Sequence, residues 1–280
     1  IATGVLAQMH KIRRAYALGV HSIGGHLAEV VALPVAGLAL LFWDWRVALQ
    51  ILIIPTLIMG LCFIFIAPKV PRHVNSRPTR ADFSDIWRVW STWTGVRVLA
   101  LFTSYNMGLF AITTMTPLYL RANHDFSWLE TALAMAAMMT AGALAMPWMG
   151  RISDNIGRRP LILMGNGIAS IAAIAAWAFS SVVVTLVALG IAMTALVAIR
   201  AVLQAAAVDH AGGREGTSLG LTFAFMDGFA ASAAVLAGLA GENDLANAFL
   251  LASGFSLIAF FLAMTIEKPG SARQPDAATT

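Results

Sequence analysis

Charge is what this sequence has least of. Asp, Glu, Lys and Arg make up 11% of its 280 residues, against 59% for apolar types, whereas soluble domains carry about a quarter charged residues. So few charges cannot clothe a water-soluble globule, so the solvent of this chain is lipid. Cysteine is almost missing: Cys62, inside an apolar run, stands alone. This excludes an internal disulfide and a cysteine-based metal site. There is no HExxH, Gly-x-Ser-x-Gly or paired-carboxylate motif and no phosphate-binding loop. No catalytic residue, metal or cofactor is therefore assigned, and no nucleic-acid partner is expected. The chain opens at Ile1 without the basic start and cleavage site of a signal peptide, and that end reads as a cut.

What is present is a series of long apolar runs. A bilayer core takes about 20 apolar residues in a helix. Val47–Pro68, Val98–Leu120, Thr131–Gly150 and Leu245–Ile266 contain no Asp, Glu, Lys or Arg. Leu161–Ile199 contains none either, and at about 1.5 Å per residue it is long enough for nearly two crossings, with a turn near Ser180–Ser181. Ala15–Trp43 and Gly216–Gly241 are each interrupted by one acid, Glu29 and Asp227. The pattern predicts an all-α transmembrane bundle of eight spans at 15–41, 47–66, 97–120, 128–149, 160–179, 182–204, 217–240 and 246–266. β-Barrel strands would show ten-residue alternation, which these runs lack.

The basic residues test this count. With the segment before Ala15 in the cytoplasm, every Lys and Arg of the 18 except Arg46 and Arg121 falls on the cytoplasmic side, the bias expected of a multi-pass membrane protein. Both ends of the sequence are then cytoplasmic. The longest connection, 67–96, begins Pro-rich and basic and then places Phe83, Ile86, Trp87 and Trp90 on one helical face, which predicts a short helix lying at the interface.

The chain also repeats. Shifted by 201 positions, Arg13, Leu18, Gly19, Gly37 and Pro68 meet Arg214, Leu219, Gly220, Gly238 and Pro269. The first two spans thus match the last two in register and orientation, a parallel duplication of the kind transporters carry. The expected organisation is two helices of one six-helix half (1–66), a cytoplasmic linker (67–96), a complete second half (97–270) and a tail (271–280). A twelve-span parent would supply four further spans.

Between the fourth and fifth spans stands Gly150-Arg151-Ile152-Ser153-Asp154-Asn155-Ile156-Gly157-Arg158-Arg159-Pro160. Gly150 suits close helix packing and Gly157 a tight turn, and Asp154 can accept from arginines or a helix amino terminus. This G-x-x-x-D-x-x-G-R-R pattern resembles the signature loop of the major facilitator superfamily, and it falls between the second and third helices of the second half, where that family has it. The resemblance covers the whole chain, from the family's fifth helix to its twelfth. It implies a monomeric secondary transporter of a small solute. It also implies a cytoplasmic latch, built here from Gly150, Asp154, Gly157, Arg158 and Arg159, that favours the outward-facing state. The family's antiporters often carry Gly-Pro-x-x-Gly-Gly in the first of these spans. Here Leu33-Pro34-Val35-Ala36-Gly37-Leu38 keeps the Pro and one Gly, which argues for a Pro kink over drug–proton antiport.

Ionisable groups inside a span are costly and mark cavities. Glu29 and Asp227 sit near the centres of their spans, His26 is one turn from Glu29, and the repeat aligns His26 with Asp227. These three are expected to line the path, one of them carrying a coupling proton. The bland alternative is an interhelical hydrogen bond. His21, two turns nearer the cytoplasm, is a weaker candidate. Tyr105 and Asn106 could hold substrate or merely pack. Arg200 and Gln204 lie toward the cytoplasmic end of the sixth span, where Arg200 either reaches the interface or binds an anion. The function expected is proton-coupled permeation of a small metabolite or organic anion. Drug efflux is the alternative within this class, and a non-transporting sensor or scaffold the alternative outside it.

Overall fold

The computed structural model describes residues 12–66, 87–211 and 215–266, with Thr3, Leu6, Met9 and His10 before them; at 211 and 215–218 it describes the backbone alone. Among the described residues eight long helices follow one another: α1 (Arg14–Phe42), α2 (Trp45–Ile66), α3 (Trp93–His124), α4 (Trp128–Ile156), α5 (Arg158–Ala178), α6 (Val182–Ala211), α7 (Glu215–Ala240) and α8 (Asn247–Met264). No strand occurs among the described residues, and all eight helices are long and apolar enough to cross a membrane. The chain is a multi-pass, all-α membrane protein. Most of the interfacial helix expected in 67–96 lies outside the described residues; its last four, 87–90, are helical.

Polar residues fix the helix ends. Asp44 accepts from the N–H groups of Arg46 and Val47 and starts α2. Thr92 caps α3 through Gly95 N–H at 3.1 Å. Ser127 and Glu130 form a reciprocal capping box on α4. Asp125, left-handed at φ 55°, ends α3, and Arg121 lies 3.3 Å over the Trp128 ring across that turn.

Two boundaries differ from the sequence reading. The motif at 150–160 is not a loop: α4 runs through Asp154 to Ile156, Gly157 alone breaks the chain at φ 96°, and α5 begins at Arg158. Likewise α6 continues past 204 to Ala211. Charges end an apolar run, but they do not end a backbone hydrogen-bond ladder.

In lipid the apolar faces have no water to escape, so helices associate through close packing and small residues. Helix α6 packs against α1, α3, α4, α5 and α7 and carries Leu189, Met193, Leu196 and Val202 into the core. Around it α3 pairs with α7 and α8, and α5 with α8, the last joined by a Ser170–Ser253 hydroxyl pair at 2.8 Å. Helix α1 docks along α4. Helix α2 touches its neighbours least: Ala48 is its one buried residue, and its large side chains from Ile53 to Ile66 are all more than half exposed.

Candidate functional site: a charged junction and a polar bundle interior

The first polar assembly joins α1 to α4, α5 and α6 at one end of the bundle. The seam is made by glycine: a Cβ on Gly150 would stand 2.5 Å from the carbonyl oxygen of Ala15, and one on Gly19 would stand 3.0 Å from that of Met146. This closeness lets Asp154, in the last turn of α4, reach the start of α1. Its carboxylate accepts from the N–H groups of Ala15 at 3.2 Å and Tyr16 at 3.0 Å. Arg13, which precedes α1, offers no side-chain cap, so the first turn of α1 is capped from another helix. A carboxylate is well suited to that position, because unpaired N–H groups and the helix dipole meet there.

Arg158 holds the cap in place. It donates to Asp154 and, at 3.1 Å, to Ser153 Oγ. Its Nε donates to Asp209 Oδ2 at 3.1 Å, and Asp209 in turn pairs with Arg14. The chain Arg14–Asp209–Arg158–Asp154 thus closes back on α1. Asp154 is 5% exposed and Asp209 42%, so the inner end of the chain is dry and the outer end wet. Gly150, Asp154, Gly157 and Arg158 of the motif all lie at this junction. Arg159 makes no ion pair or hydrogen bond among the described residues. Sequence reasoning missed Asp209 and Arg14. Asp209 lies beyond residue 204, where the apolar pattern ends the sixth span, and an acid among the basic residues of that side was the available signal.

The second set of polar residues lies partway along the helices, with buried His26 and Asn106 each beside an exposed acid. On α1, buried His26 meets Glu29 through Nδ1 and Oε2 at 2.9 Å, while Glu29 is 54% exposed. Between α3 and α7, Asn106 donates from Nδ2 to Asp227 Oδ1 at 3.0 Å and to the Met226 carbonyl at 3.2 Å. No hydrogen bond joins these two pairs among the described residues. The hydroxyl of fully buried Tyr105 donates to the Leu196 carbonyl at 2.7 Å, so its donor is committed to the backbone of α6. Arg200 is half-buried, and with Tyr105, Gln204 and Thr222 it lines a narrow, apolar-surfaced crevice between α3, α6 and α7. His21 is exposed on α1. Among the described residues no group of three or more His, Cys, Asp or Glu could hold a metal ion.

Comparison with known proteins fits this geometry. The chain is 28% identical over 193 residues to the proline/betaine transporter of Escherichia coli K12, and equally to that of Escherichia coli O157:H7. Each match covers 62% of the chain and 37% of the relative, so the chain spans little more than a third of the curated relatives it matches. The model of the major facilitator superfamily matches residues 1–234 and again residues 122–279. Eight apolar helices, the Gly150–Arg159 motif at a helix junction and a family match along the length of the sequence converge: the chain belongs to the major facilitator superfamily.

Proposed function

We propose that this protein works in a secondary active transporter that carries a small polar solute across a cell inner membrane by alternating access, driven by protons. The observation that carries the reading is the junction at Asp154. There α1 is fastened to α4–α6 by a few charge-assisted hydrogen bonds, beside a close glycine seam. Bundles of this kind move by rocking around a site in the middle of the membrane. With the Asp154 end cytoplasmic, an intact junction closes the inner side and favours the outward-facing state. Two like halves are supported by the 201-residue repeat and by the segment 122–234, which the family model fits in both of its matches.

Proton coupling is proposed at Glu29, His26 and Asp227. Each is an ionisable group within a span, and each already has a hydrogen-bonding neighbour that would register a change of protonation. The curated relatives, by their name, carry proline and betaine, which supports a small, water-soluble cargo over a lipophilic one. The reading is tested with the full-length protein in proteoliposomes, offered a panel of amino acids, betaines, carboxylates and sugars with and without an inward proton gradient. Gradient-dependent accumulation of at least one solute is expected. If no solute moves under either condition, the transporter reading is wrong; if Glu29→Gln and Asp227→Asn both leave accumulation unchanged, the coupling residues are elsewhere.

A further inference from the structure

An open groove of about 470 Å³ lies where the residues leading into α3 meet the first turns of α3 and the middle of α7. Trp87 and Trp90 line it from the lead-in, Leu99 and Ala100 from α3, and Phe225 and Phe229 from α7. It shares no residue with the crevice at Arg200. Its volume falls within the range of small-molecule sites, about 300–1,000 Å³, but little of its surface is polar. A sugar, an amino acid or a free phosphate would give up its water there without gaining hydrogen bonds. The groove suits an apolar occupant.

Its place in the bilayer narrows the choice. The Trp90 ring meets His210 edge-on with centroids 5.0 Å apart, and His210 follows Asp209 of the charged junction. The groove therefore begins at the junction end of the bundle. From Trp93, the first residue of α3, to Ser104, the furthest groove residue along it, the helix rises roughly 16 Å. That is about half of a 30 Å hydrocarbon core, the depth of one leaflet. Trp87 and Trp93 are more than half exposed at the start of this path, where tryptophan favours the boundary between membrane and water. Phe225 and Phe229 stack at 6.2 Å along its α7 side, and Phe229 is 52% exposed.

The mouth is basic. Arg88 is exposed beside Trp87. Arg97 follows Val96 of the groove and lies back over the Trp93 ring at 5.7 Å, its Nε donating to the Trp93 carbonyl at 3.4 Å. Neither arginine is in an ion pair among the described residues. Basic residues beside a membrane span attract anionic headgroups. We propose that the groove binds an anionic phospholipid of the leaflet at the junction end, one acyl chain lying against Phe225 and Phe229 and the phosphate held at Arg88 and Arg97. The assignment stands apart from the transporter reading, and its test needs no transported solute.

Photolabelling of the full-length protein in phosphatidylcholine nanodiscs tests it. The probes are phosphatidylglycerol and phosphatidylcholine, each with a diazirine on one acyl chain, and labelled positions are mapped by peptide mass spectrometry. Phosphatidylglycerol should label the groove residues of α3 and α7 above the exposed surface of α2. Phosphatidylcholine should label the groove about tenfold less, because the two arginines select the anionic headgroup. Arg88→Gln combined with Arg97→Gln should remove that preference and leave the phosphatidylcholine label unchanged. Ala100→Trp, which fills the groove, should lower both groove labels about tenfold without altering the label on α2. The charge variant keeps the packing and reports even if Ala100→Trp fails to stay monodisperse. Equal labelling by the two lipids overturns the proposal, as does a groove label that survives Ala100→Trp. An unlabelled groove beside a labelled α2 overturns it too and assigns the groove to a protein neighbour. Protection of the groove by tetraphenylphosphonium that excess phosphatidylglycerol fails to reverse overturns it in favour of a lipophilic cargo.

Discussion

Helices α1 and α7 carry two copies of one pattern and meet different fates. The 201-residue register sets Gly19 against Gly220, Gly37 against Gly238 and His26 against Asp227. On α1 the glycines are in use: a Cβ on Gly19 would meet the α4 backbone at 3.0 Å, and one on Gly37 would meet the Ala132 side chain at 3.0 Å. On α7 a Cβ on Gly220 or Gly238 would meet nothing within 4 Å. Phe229, Val235, Leu236 and Leu239 are exposed along the same helix. A small-residue pattern therefore marks a helix able to pair closely, and whether it does so depends on what lies opposite. Helix α1 has α4 opposite, ending in a carboxylate that caps it. The polar residue at the shared level differs as well, because His26 finds Glu29 on its own helix whereas Asp227 finds Asn106 on α3.

Removing the carboxylate should have the largest effect on this contrast. Asp154→Ala leaves Arg158 without its inner partner and two N–H groups of α1 uncapped. Loss of one partner of a buried pair costs about 3–5 kcal/mol. Thermal unfolding of the detergent-solubilised protein should fall accordingly, and proteolysis before Arg14 should quicken as α1 comes loose. Asp154→Asn keeps one acceptor for the backbone and should recover part of the loss. If Asp154→Ala unfolded at the wild-type temperature, α1 would be held by the glycine seam alone.

The seam is the next way to break the comparison. A Cβ on Gly150 would press into backbone atoms at 2.5–2.9 Å, where no side chain can swing away. Gly150→Ala should cost about 1–3 kcal/mol, the range for overpacking, and should separate α1 from α4. Cross-linking between cysteines placed at Tyr16 and Ile152 would report that separation. Unchanged cross-linking would mean that the two helices slide past one another without parting.

How much of this could be read in the sequence divides along physical lines. Apolar run length marks the eight helices because a bilayer demands it. The helix ends were less legible, because α4 and α6 keep their hydrogen-bond ladders past the charged residues that end their apolar runs. The partners of Asp154 were hidden for a related reason. Ala15 and Tyr16 act through main-chain N–H groups, which no side-chain pattern records, and Asp209 lies 55 residues away on α6. The His26–Glu29 pair could be read from its i, i+3 spacing on one helix. Asn106 with Asp227 could not, because the pair exists only once α3 packs on α7.

Asp209 offers a smaller effect and a sharper test of the junction as a chain. It joins Arg14 to Arg158, but it is 42% exposed, and partly exposed ion pairs contribute about 0.2–1 kcal/mol. Asp209→Asn should therefore cost less than Asp154→Ala, and the cost should shrink as salt is raised. In the double variant the two losses should fall short of their sum, because both substitutions act on Arg158. Additive losses would divide the junction into two independent contacts.

The smallest expected effect belongs to α7, and it tests the comparison itself. Gly220→Leu and Gly238→Leu place side chains where the structure has open space. Both lie on a helix whose neighbouring surface is already apolar and exposed. Each should change unfolding by less than about 0.5 kcal/mol, the usual range for surface positions, with leucine's better helix propensity acting on the stabilising side. The matched substitutions on α1, Gly19→Leu and Gly37→Leu, should both be destabilising, and Gly19→Leu more so because it meets main-chain atoms where Gly37 meets a side chain. Measured together, the four variants separate the glycine pattern from its use. Equal losses on both helices would mean that α7 is as tightly partnered as α1 in the working protein, and that the repeat carries two seams of the same kind.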